Sequence, residues 1–293
     1  MDLTRPSVIV ALLTPFDRDG RLDEAALRAH VDLLVAAGVD GLMPCGTTGE
    51  SAVLSDHEVS AVIRATCNAA GGRVPVLAHV GRPGTGPTVA LAREAVEHGA
   101  QAVAAVVPYY YAAGAGEIRS HYGALVEELD ATPVYGYTIP ERTHNELEPG
   151  QLVALIADGL AGLKDSTKSI ERHREYAAAA REAGGGFDLF TGTAPQALEA
   201  VRSGAAGAVL GIANTHPELC AELMRACREG RDEEAARLQE ELAAAEREIA
   251  RDGTLLGLKR RVAERLRELD AGAYGTELRA PFGAAGLRTA ASR

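Results

Sequence analysis

Short apolar runs alternate with amphipathic stretches along most of the chain. The apolar runs have turn residues at their borders, which is typical of buried parallel strands. They predict strands at 8–13, 41–44, 75–79, 102–107, 133–137, 162–164, 187–191 and 207–210. The amphipathic stretches predict helices at 23–37, 55–70, 87–98, 117–128, 149–157, 170–183 and 194–203, and three more follow at 217–229, 233–251 and 255–268.

Eight strand–helix units in one chain predict a (β/α)8 TIM barrel. The rival is an open doubly wound sheet, which normally has a GxGxxG turn after its first strand. Here the first strand leads into Thr14-Pro15-Phe16-Asp17 instead. We therefore expect a barrel over residues 1–215 and a C-terminal helical extension over residues 216–293 that packs on the barrel.

Residue types at the predicted helix ends support these boundaries. Ser55 and Glu58 have the spacing of a capping box at a helix start. Glycines stand where four helices should stop, at Gly38, Gly99, Gly184 and Gly204.

Charge and composition exclude several classes of protein. The 293 residues include 30 Lys and Arg against 41 Asp and Glu, a net charge of −11, which argues against nucleic-acid binding. No apolar run reaches the roughly 18–20 residues that cross a bilayer, and the N-terminus lacks the pattern of a signal peptide. These features predict a cytoplasmic protein. Its four cysteines form no CxxC pair and no zinc-ligand spacing, so we expect free thiols.

In a TIM barrel the active site lies at the C-terminal ends of the strands. Lys164 ends the sixth predicted strand in the segment Gly-Leu-Lys-Asp-Ser. Burial disfavours the charged ammonium, and the free amine is a nucleophile towards carbonyls. The alternative is a lysine that pairs with Asp165 or extends to solvent.

Other reactive residues follow neighbouring strands. The loop Gly46-Thr47-Thr48-Gly49-Glu50 offers backbone N–H groups and two hydroxyls that suit a small carboxylate, although it also reads as a plain turn. Tyr137 ends the fifth strand, where a phenol can relay protons, and the nearby Arg142 can hold a carboxylate. The run Tyr109-Tyr110-Tyr111 follows the fourth strand, where aromatic clusters more often serve packing or interfaces.

Together these residues resemble the dihydrodipicolinate synthase/N-acetylneuraminate lyase family of class I aldolases. The resemblance extends from about Val8 to Leu210, and the GTTGE loop is its most specific part. It implies that Lys164 forms an imine with pyruvate or another 2-oxo acid, without a cofactor or a metal. The second substrate would be an aldehyde.

The resemblance also assigns roles to the surrounding side chains. Thr47 and Thr48 would bind the carboxylate of the 2-oxo acid, and Thr48 would join a proton relay with Tyr137. Tyr110 would reach into the site of a neighbouring subunit, which implies a homo-oligomer, either a tetramer of two tight dimers or a dimer. Val209 would line the wall beside the imine.

The identity of the aldehyde divides the family. Arg142-Thr143 matches the pair by which dihydrodipicolinate synthases hold aspartate semialdehyde, so the sequence favours a 4-hydroxy-tetrahydrodipicolinate synthase-like enzyme. His79-Val80-Gly81 and the three tyrosines favour a 2-keto-3-deoxy sugar-acid aldolase or an N-acetylneuraminate lyase-like enzyme. A non-catalytic binding or regulatory barrel is the alternative of a different class.

Overall fold

The computed structural model describes residues 3–283 and places eight parallel strands in one sheet. The strands are β1 (Ser7–Ala11), β2 (Gly41–Met43), β3 (Leu77–His79), β4 (Ala102–Val106), β5 (Val134–Thr138), β6 (Gly162–Asp165), β7 (Asp188–Thr191) and β8 (Gly207–Leu210). Every strand residue is buried, as expected for strands covered on both faces.

Neighbouring strands pair in sequence order around a ring. β1 pairs with both β2 and β8, and the series continues from β8 down to β3. The gap between β2 and β3 is bridged by a parallel contact of Leu42 with Val76 and by a hydrogen bond of 3.0 Å from the Leu42 N–H to the Pro75 carbonyl. This arrangement confirms the TIM barrel and excludes the open doubly wound sheet.

Helices connect the strands and cover the outside of the barrel. They are α1 (Glu24–Ala36), α2 (Asp56–Ala70), α3 (Thr85–Glu97), α4 (Ala115–Leu129), α5 (Pro140–Thr143), α6 (Pro149–Ala157), α7 (Ile170–Glu182), α8 (Ala197–Arg202), α9 (Pro217–Arg228), α10 (Asp232–Ala250) and α11 (Thr254–Glu268). The four-residue α5 was not predicted, because one helical turn contains no apolar period. The other helices occur where the sequence places them, with ends shifted by a few residues.

Local signals act as predicted at several helix ends. Ser55 and Glu58 form the expected capping box at the start of α2. Gly38, Gly99, Gly184 and Gly204 all have positive φ, between 84° and 105°, as is usual after a helix end.

The last three helices share a hydrophobic core with one side of the barrel. Leu223 and Met224 of α9, Leu242 of α10 and Leu258 of α11 belong to the same buried cluster as Val8 of β1. The division of the chain at residue 215 stays a prediction, and the end of the proposed extension, 284–293, lies outside the described residues.

Candidate active site

Lys164 lies inside the barrel near the C-terminal end of β6. Its side chain is 5% exposed, and its Nζ lies 4.3 Å from the centre of the Tyr137 ring and 4.0 Å from Met43 Sδ. Tyr137 is the direct neighbour of Lys164 in the pairing of β5 with β6, whereas Met43 reaches it from β2. The amine of β6 is therefore in contact with side chains from two other strands, β5 and β2.

Asp165 does not pair with Lys164. Successive residues of a strand point to opposite faces, and the Asp165 carboxylate lies 2.9 Å from His173 Nδ1 and accepts hydrogen bonds from the backbone and hydroxyl of Thr167. Because Lys164 is also almost fully buried, both alternatives for this lysine, an Asp165 pair and extension to solvent, are wrong.

Gly192 leaves the space that the Lys164 side chain occupies. A Cβ at this position, just after β7, would lie 3.2 Å from Lys164 Cε and 2.0 Å from Ser166 Oγ. Any larger residue would collide with Ser166 and crowd the lysine. Sequence reasoning missed this residue, since a glycine after a strand looks like an ordinary turn signal.

Tyr137 forms a hydroxyl pair with the loop after β2. The ring is 2% exposed, and its hydroxyl lies 3.2 Å from Thr47 Oγ1. Thr48 points elsewhere, with its Oγ1 3.3 Å from where a Cβ of Gly211 would stand. The hydroxyl in contact with Tyr137 is thus that of Thr47, whereas the family resemblance assigns Thr48 to the relay.

Buried contacts determine the shape of this loop. Thr14 Oγ1 donates to the Gly49 carbonyl at 2.8 Å, and a Cβ on Gly49 would lie only 3.0 Å from the Leu12 carbonyl oxygen. Glu50 has a left-handed φ of 60°, and its carboxylate contacts Lys259 Nζ of α11 at 2.6 Å. The sequence offered no signal for this pair, since 209 residues separate its members.

Cys45 precedes the loop but is not a reactive thiol. It is fully buried, and burial raises the pKa of its thiol to about 12. A thiol of this kind is hardly ionised near neutral pH and is a poor nucleophile. All four cysteines are free, as predicted.

The remaining candidates lie outside this cluster or behind it. Tyr110 is 82% exposed, has φ 79°, and stacks edge-on against Tyr111 at 5.0 Å. Arg142 is exposed on α5. Val209 is buried in β8 beside Ile9 of β1. One subunit therefore brings together Lys164, Tyr137 and Thr47 but leaves Tyr110 in solvent.

The chain is similar to one protein family over almost its whole length. The model of the dihydrodipicolinate synthetase family matches residues 5–287. The chain belongs to this family. It is a lyase of the class I aldolase type, and the hypothesis of a non-catalytic barrel is not retained.

Relatives within this family carry two kinds of name. A 4-hydroxy-tetrahydrodipicolinate synthase of Brucella suis is 38% identical over 236 residues, which cover 80% of this chain and 79% of the relative. An uncharacterised DapA-like lyase of Halobacterium salinarum is 36% identical over 273 residues and covers 93% of this chain and 88% of its own. The family thus includes relatives with an assigned reaction and relatives without one.

Solved structures of family members have the same barrel. Dihydrodipicolinate synthase from Bacteroides thetaiotaomicron superposes with a TM-score of 0.85, at 32% identity, over 97% of this chain and 94% of its own. YagE, an E. coli K12 prophage protein of the family crystallised with pyruvate, superposes with a TM-score of 0.88, at 25% identity, over 94% and 91%.

Two further observations concern metal binding and membrane spanning. Within residues 3–283, no group of three or more His, Cys, Asp or Glu side chains is arranged to hold a metal ion. No helix in the same part of the chain is both long and apolar enough to span a membrane.

Proposed function

We propose that this lyase joins pyruvate to an aldehyde, or cleaves the corresponding aldol, through a Schiff base on Lys164. The observation that carries the proposal is the buried Lys164 amine, which lies on the Tyr137 ring and has no contact with the neighbouring carboxylate of Asp165. Pyruvate is the ligand of the structural relative from E. coli, which supports a 2-oxo acid as the first substrate.

The reaction needs only the lysine and proton transfers. The Lys164 amine adds to the C2 carbonyl of pyruvate, and the carbinolamine loses water to form an imine. The imine withdraws electrons, so C3 loses a proton and the imine becomes an enamine. C3 of the enamine then bonds to the aldehyde carbon, the aldehyde oxygen takes up a proton, and the imine forms again. Water then hydrolyses the product imine and restores the free amine. The same steps in reverse cleave an aldol.

Two hydroxyls are placed to move these protons. The Tyr137 hydroxyl, on the residue paired with Lys164, would give a proton to the leaving carbinolamine oxygen and to the aldehyde oxygen. Thr47, 3.2 Å away, would pass protons to and from Tyr137. Thr48, on the same loop, would bind the pyruvate carboxylate with its hydroxyl, and Val209 would form the wall beside the imine.

The aldehyde is assigned as aspartate semialdehyde or a related acidic aldehyde, which makes the enzyme dihydrodipicolinate synthase-like. Arg142 supports this choice. It lies five residues after Tyr137 in the sequence, and its exposed guanidinium is available to a carboxylate. One observation favours a sugar-acid aldolase or N-acetylneuraminate lyase-like enzyme as the second candidate. The buried His79 ring, part of the segment that favours those enzymes, packs directly on Tyr137.

Assembly would complete the site. Tyr110 and Tyr111 are 82% and 78% exposed, which is unusual for adjacent aromatic side chains. We infer that they are covered by a second copy of the chain in a homo-oligomer, a dimer or a tetramer of two dimers. Tyr110 would then supply the last hydroxyl of its neighbour's relay.

Borohydride reduction in the presence of pyruvate tests the proposal. Intact mass should increase by one reduced pyruvate, and peptide mapping should place it on Lys164. Lys164→Arg should lose both the adduct and turnover, because arginine stays protonated and forms no imine. The exposed Lys168, which pairs with Glu141, provides the matched control Lys168→Arg, which should keep both.

An adduct on another lysine would overturn the proposed nucleophile, and the absence of any adduct would overturn the mechanism. A panel of aldehydes with pyruvate, together with cleavage assays on sugar acids, decides between the two candidates. Turnover of aspartate semialdehyde alone supports the first, and cleavage of a 2-keto-3-deoxy sugar acid alone supports the second.

A further inference from the structure

His79 connects the strands on one side of the active site. It ends β3 and is 4% exposed. Its Nδ1 lies 2.8 Å from the Cys45 carbonyl after β2, and its Nε2 lies 3.2 Å from the Val106 N–H of β4. Its ring meets the Tyr137 ring of β5 edge to face, with centroids 5.8 Å apart.

The two backbone contacts determine where the His79 ring carries its proton. A carbonyl only accepts, so Nδ1 must hold a hydrogen for Cys45. A backbone N–H only donates, so Nε2 must be a bare acceptor for Val106. A second proton, on Nε2, would point the ring N–H at the Val106 N–H, and the two donors would repel each other. Burial and, to a smaller extent, the positive charges of Lys164 and Arg82 lower the pKa of His79 from 6.5 to about 3, although the hydrogen bond to Cys45 acts in the opposite direction.

Each contact supports a part of the site. Cys45 has φ 60°, an uncommon conformation for a residue with a side chain, and it stands two residues before Thr47. The His79 hydrogen bond holds this turn in place. Gly81 leaves room for the other bond, since a Cβ there would lie 2.7 Å from the Val106 nitrogen and 3.1 Å from His79 Nε2.

We propose that neutral His79 is a positioning residue, which sets the angle of the Tyr137 ring against Lys164 and anchors the turn that presents Thr47. It transfers no proton itself, because both ring nitrogens are occupied by backbone groups. The inference rests on the proposed Schiff-base reaction, in which Tyr137 and Thr47 act on the substrate.

Three substitutions separate the contacts of His79. His79→Asn can keep the donor to Cys45 but loses the ring beside Tyr137. His79→Gln can keep an acceptor for Val106 but loses both the ring beside Tyr137 and the donor to Cys45. His79→Leu keeps bulk and loses both hydrogen bonds. His98→Asn, which alters a histidine that contacts Ser60 on the outer helices, is the matched control.

The kinetic effects should divide according to the contact that is lost. His79→Asn should lower kcat by about tenfold or more with little change in KM for pyruvate, because a misaligned proton donor slows the chemical steps. His79→Gln, which also lacks the ring, should lower kcat in the same way and in addition raise KM for pyruvate, because the proposed carboxylate site lies on the loop that follows Cys45. His98→Asn should change neither. A folded His79→Leu with kcat and KM within twofold of wild type would overturn the positioning role.

A measurement on the unmodified enzyme tests the inference even if these variants fail to fold. Nitrogen-15 shifts of the His79 ring should show a proton on Nδ1 and none on Nε2 from about pH 5 to 8. The opposite tautomer, or titration in that range, would overturn it. Borohydride trapping keeps the two hypotheses apart: wild-type enzyme without a pyruvate adduct refutes the reaction, whereas a normal adduct without the kinetic division refutes the role of His79.

Discussion

The hydroxyl pair of Tyr137 and Thr47 leads to a sharp kinetic prediction. A positioned proton donor contributes about 10²–10⁴-fold to rate, which corresponds to about 2.7–5.4 kcal/mol of barrier at 1.36 kcal/mol per decade. Tyr137→Phe removes only a hydroxyl from a ring that is 2% exposed, so the fold should survive and kcat should fall by that factor. Thr47→Val should slow the same steps, because Thr47 Oγ1 lies 3.2 Å from the Tyr137 hydroxyl and would exchange protons with it.

The coupling between the two substitutions is the decisive quantity. If both hydroxyls serve one relay, the double variant should be little slower than Tyr137→Phe alone. Thr48→Val is the matched control, with the same chemical change one residue away. It should mainly raise KM for pyruvate, because Thr48 does not contact Tyr137.

Exchange of the pyruvate methyl protons with deuterated solvent provides the assay. It requires imine and enamine formation but no aldehyde, so the second substrate need not be known. Proton NMR follows it directly. Fully multiplicative effects of Tyr137→Phe and Thr47→Val would refute the shared relay, and a loss of exchange rate in Thr48→Val but not in Thr47→Val would restore the assignment made from sequence.

Three other predictions concern the second substrate, pH and assembly. Arg142→Ala should raise KM for an acidic aldehyde about 10- to 150-fold, the effect of losing about 1.5–3 kcal/mol of charged hydrogen bonding; an equal rise for pyruvate would place Arg142 elsewhere. Burial lowers the pKa of His30 to about 4 from 6.5, so the folded protein keeps it neutral while the unfolded chain binds a proton. The free energy of unfolding should therefore fall as pH drops from about 6.5 towards 4, by about 1.4 kcal/mol per pH unit from this group. Denaturant unfolding of His30→Gln should show a weaker dependence of this free energy on pH, and an unchanged dependence would contradict the assignment. Mixing Tyr110→Phe with Lys164→Ala should recover part of the activity after subunit exchange, since one mixed site is then intact; no recovery despite confirmed exchange would mean that Tyr110 does not act across the interface.

The position of Lys164 followed from the sequence because strand and barrel periodicity are local signals. A lysine that ends an apolar strand, in the sixth of eight strand–helix units, is expected at the C-terminal end of the barrel, where the active site lies. Tyr137 is expected beside Lys164 for the same reason, since the last residues of adjacent parallel strands meet at one end of the barrel.

The choice between Thr47 and Thr48 could not be predicted in the same way. The two residues are adjacent and chemically identical, and their directions depend on a turn in which Cys45 and Glu50 both have φ 60°. Cysteine and glutamate do not indicate a left-handed backbone conformation in a sequence, whereas glycine or asparagine would. Contacts that hold this turn come from Thr14, His79 and Lys259, all distant in sequence.

The C-terminal helices stabilise the active-site loop, and this bears on the predicted boundary at residue 215. Lys259 is fully buried, pairs with Glu50 at 2.6 Å and donates to the Glu277 carbonyl at 2.8 Å. Removing one partner of a buried ion pair costs about 3–5 kcal/mol, a large share of the roughly 5–15 kcal/mol that holds a domain folded. Lys259→Met should lower the free energy of unfolding in urea by that amount, whereas Lys168→Met, at an exposed ion pair, should change it by less than about 1 kcal/mol.

Residues 1–215 alone would lose this cation and also the apolar side chains of α9, α10 and α11 that cover β1 and α1. Glu50, two residues after Thr48, would then lose both the Lys259 ammonium and the hydrogen bond from the Arg279 N–H. We therefore expect the barrel and its extension to unfold in one transition, with loss of pyruvate exchange at the same urea concentration as loss of helix. Separate transitions, or a folded and active fragment 1–215, would show that the extension is an independent domain after all.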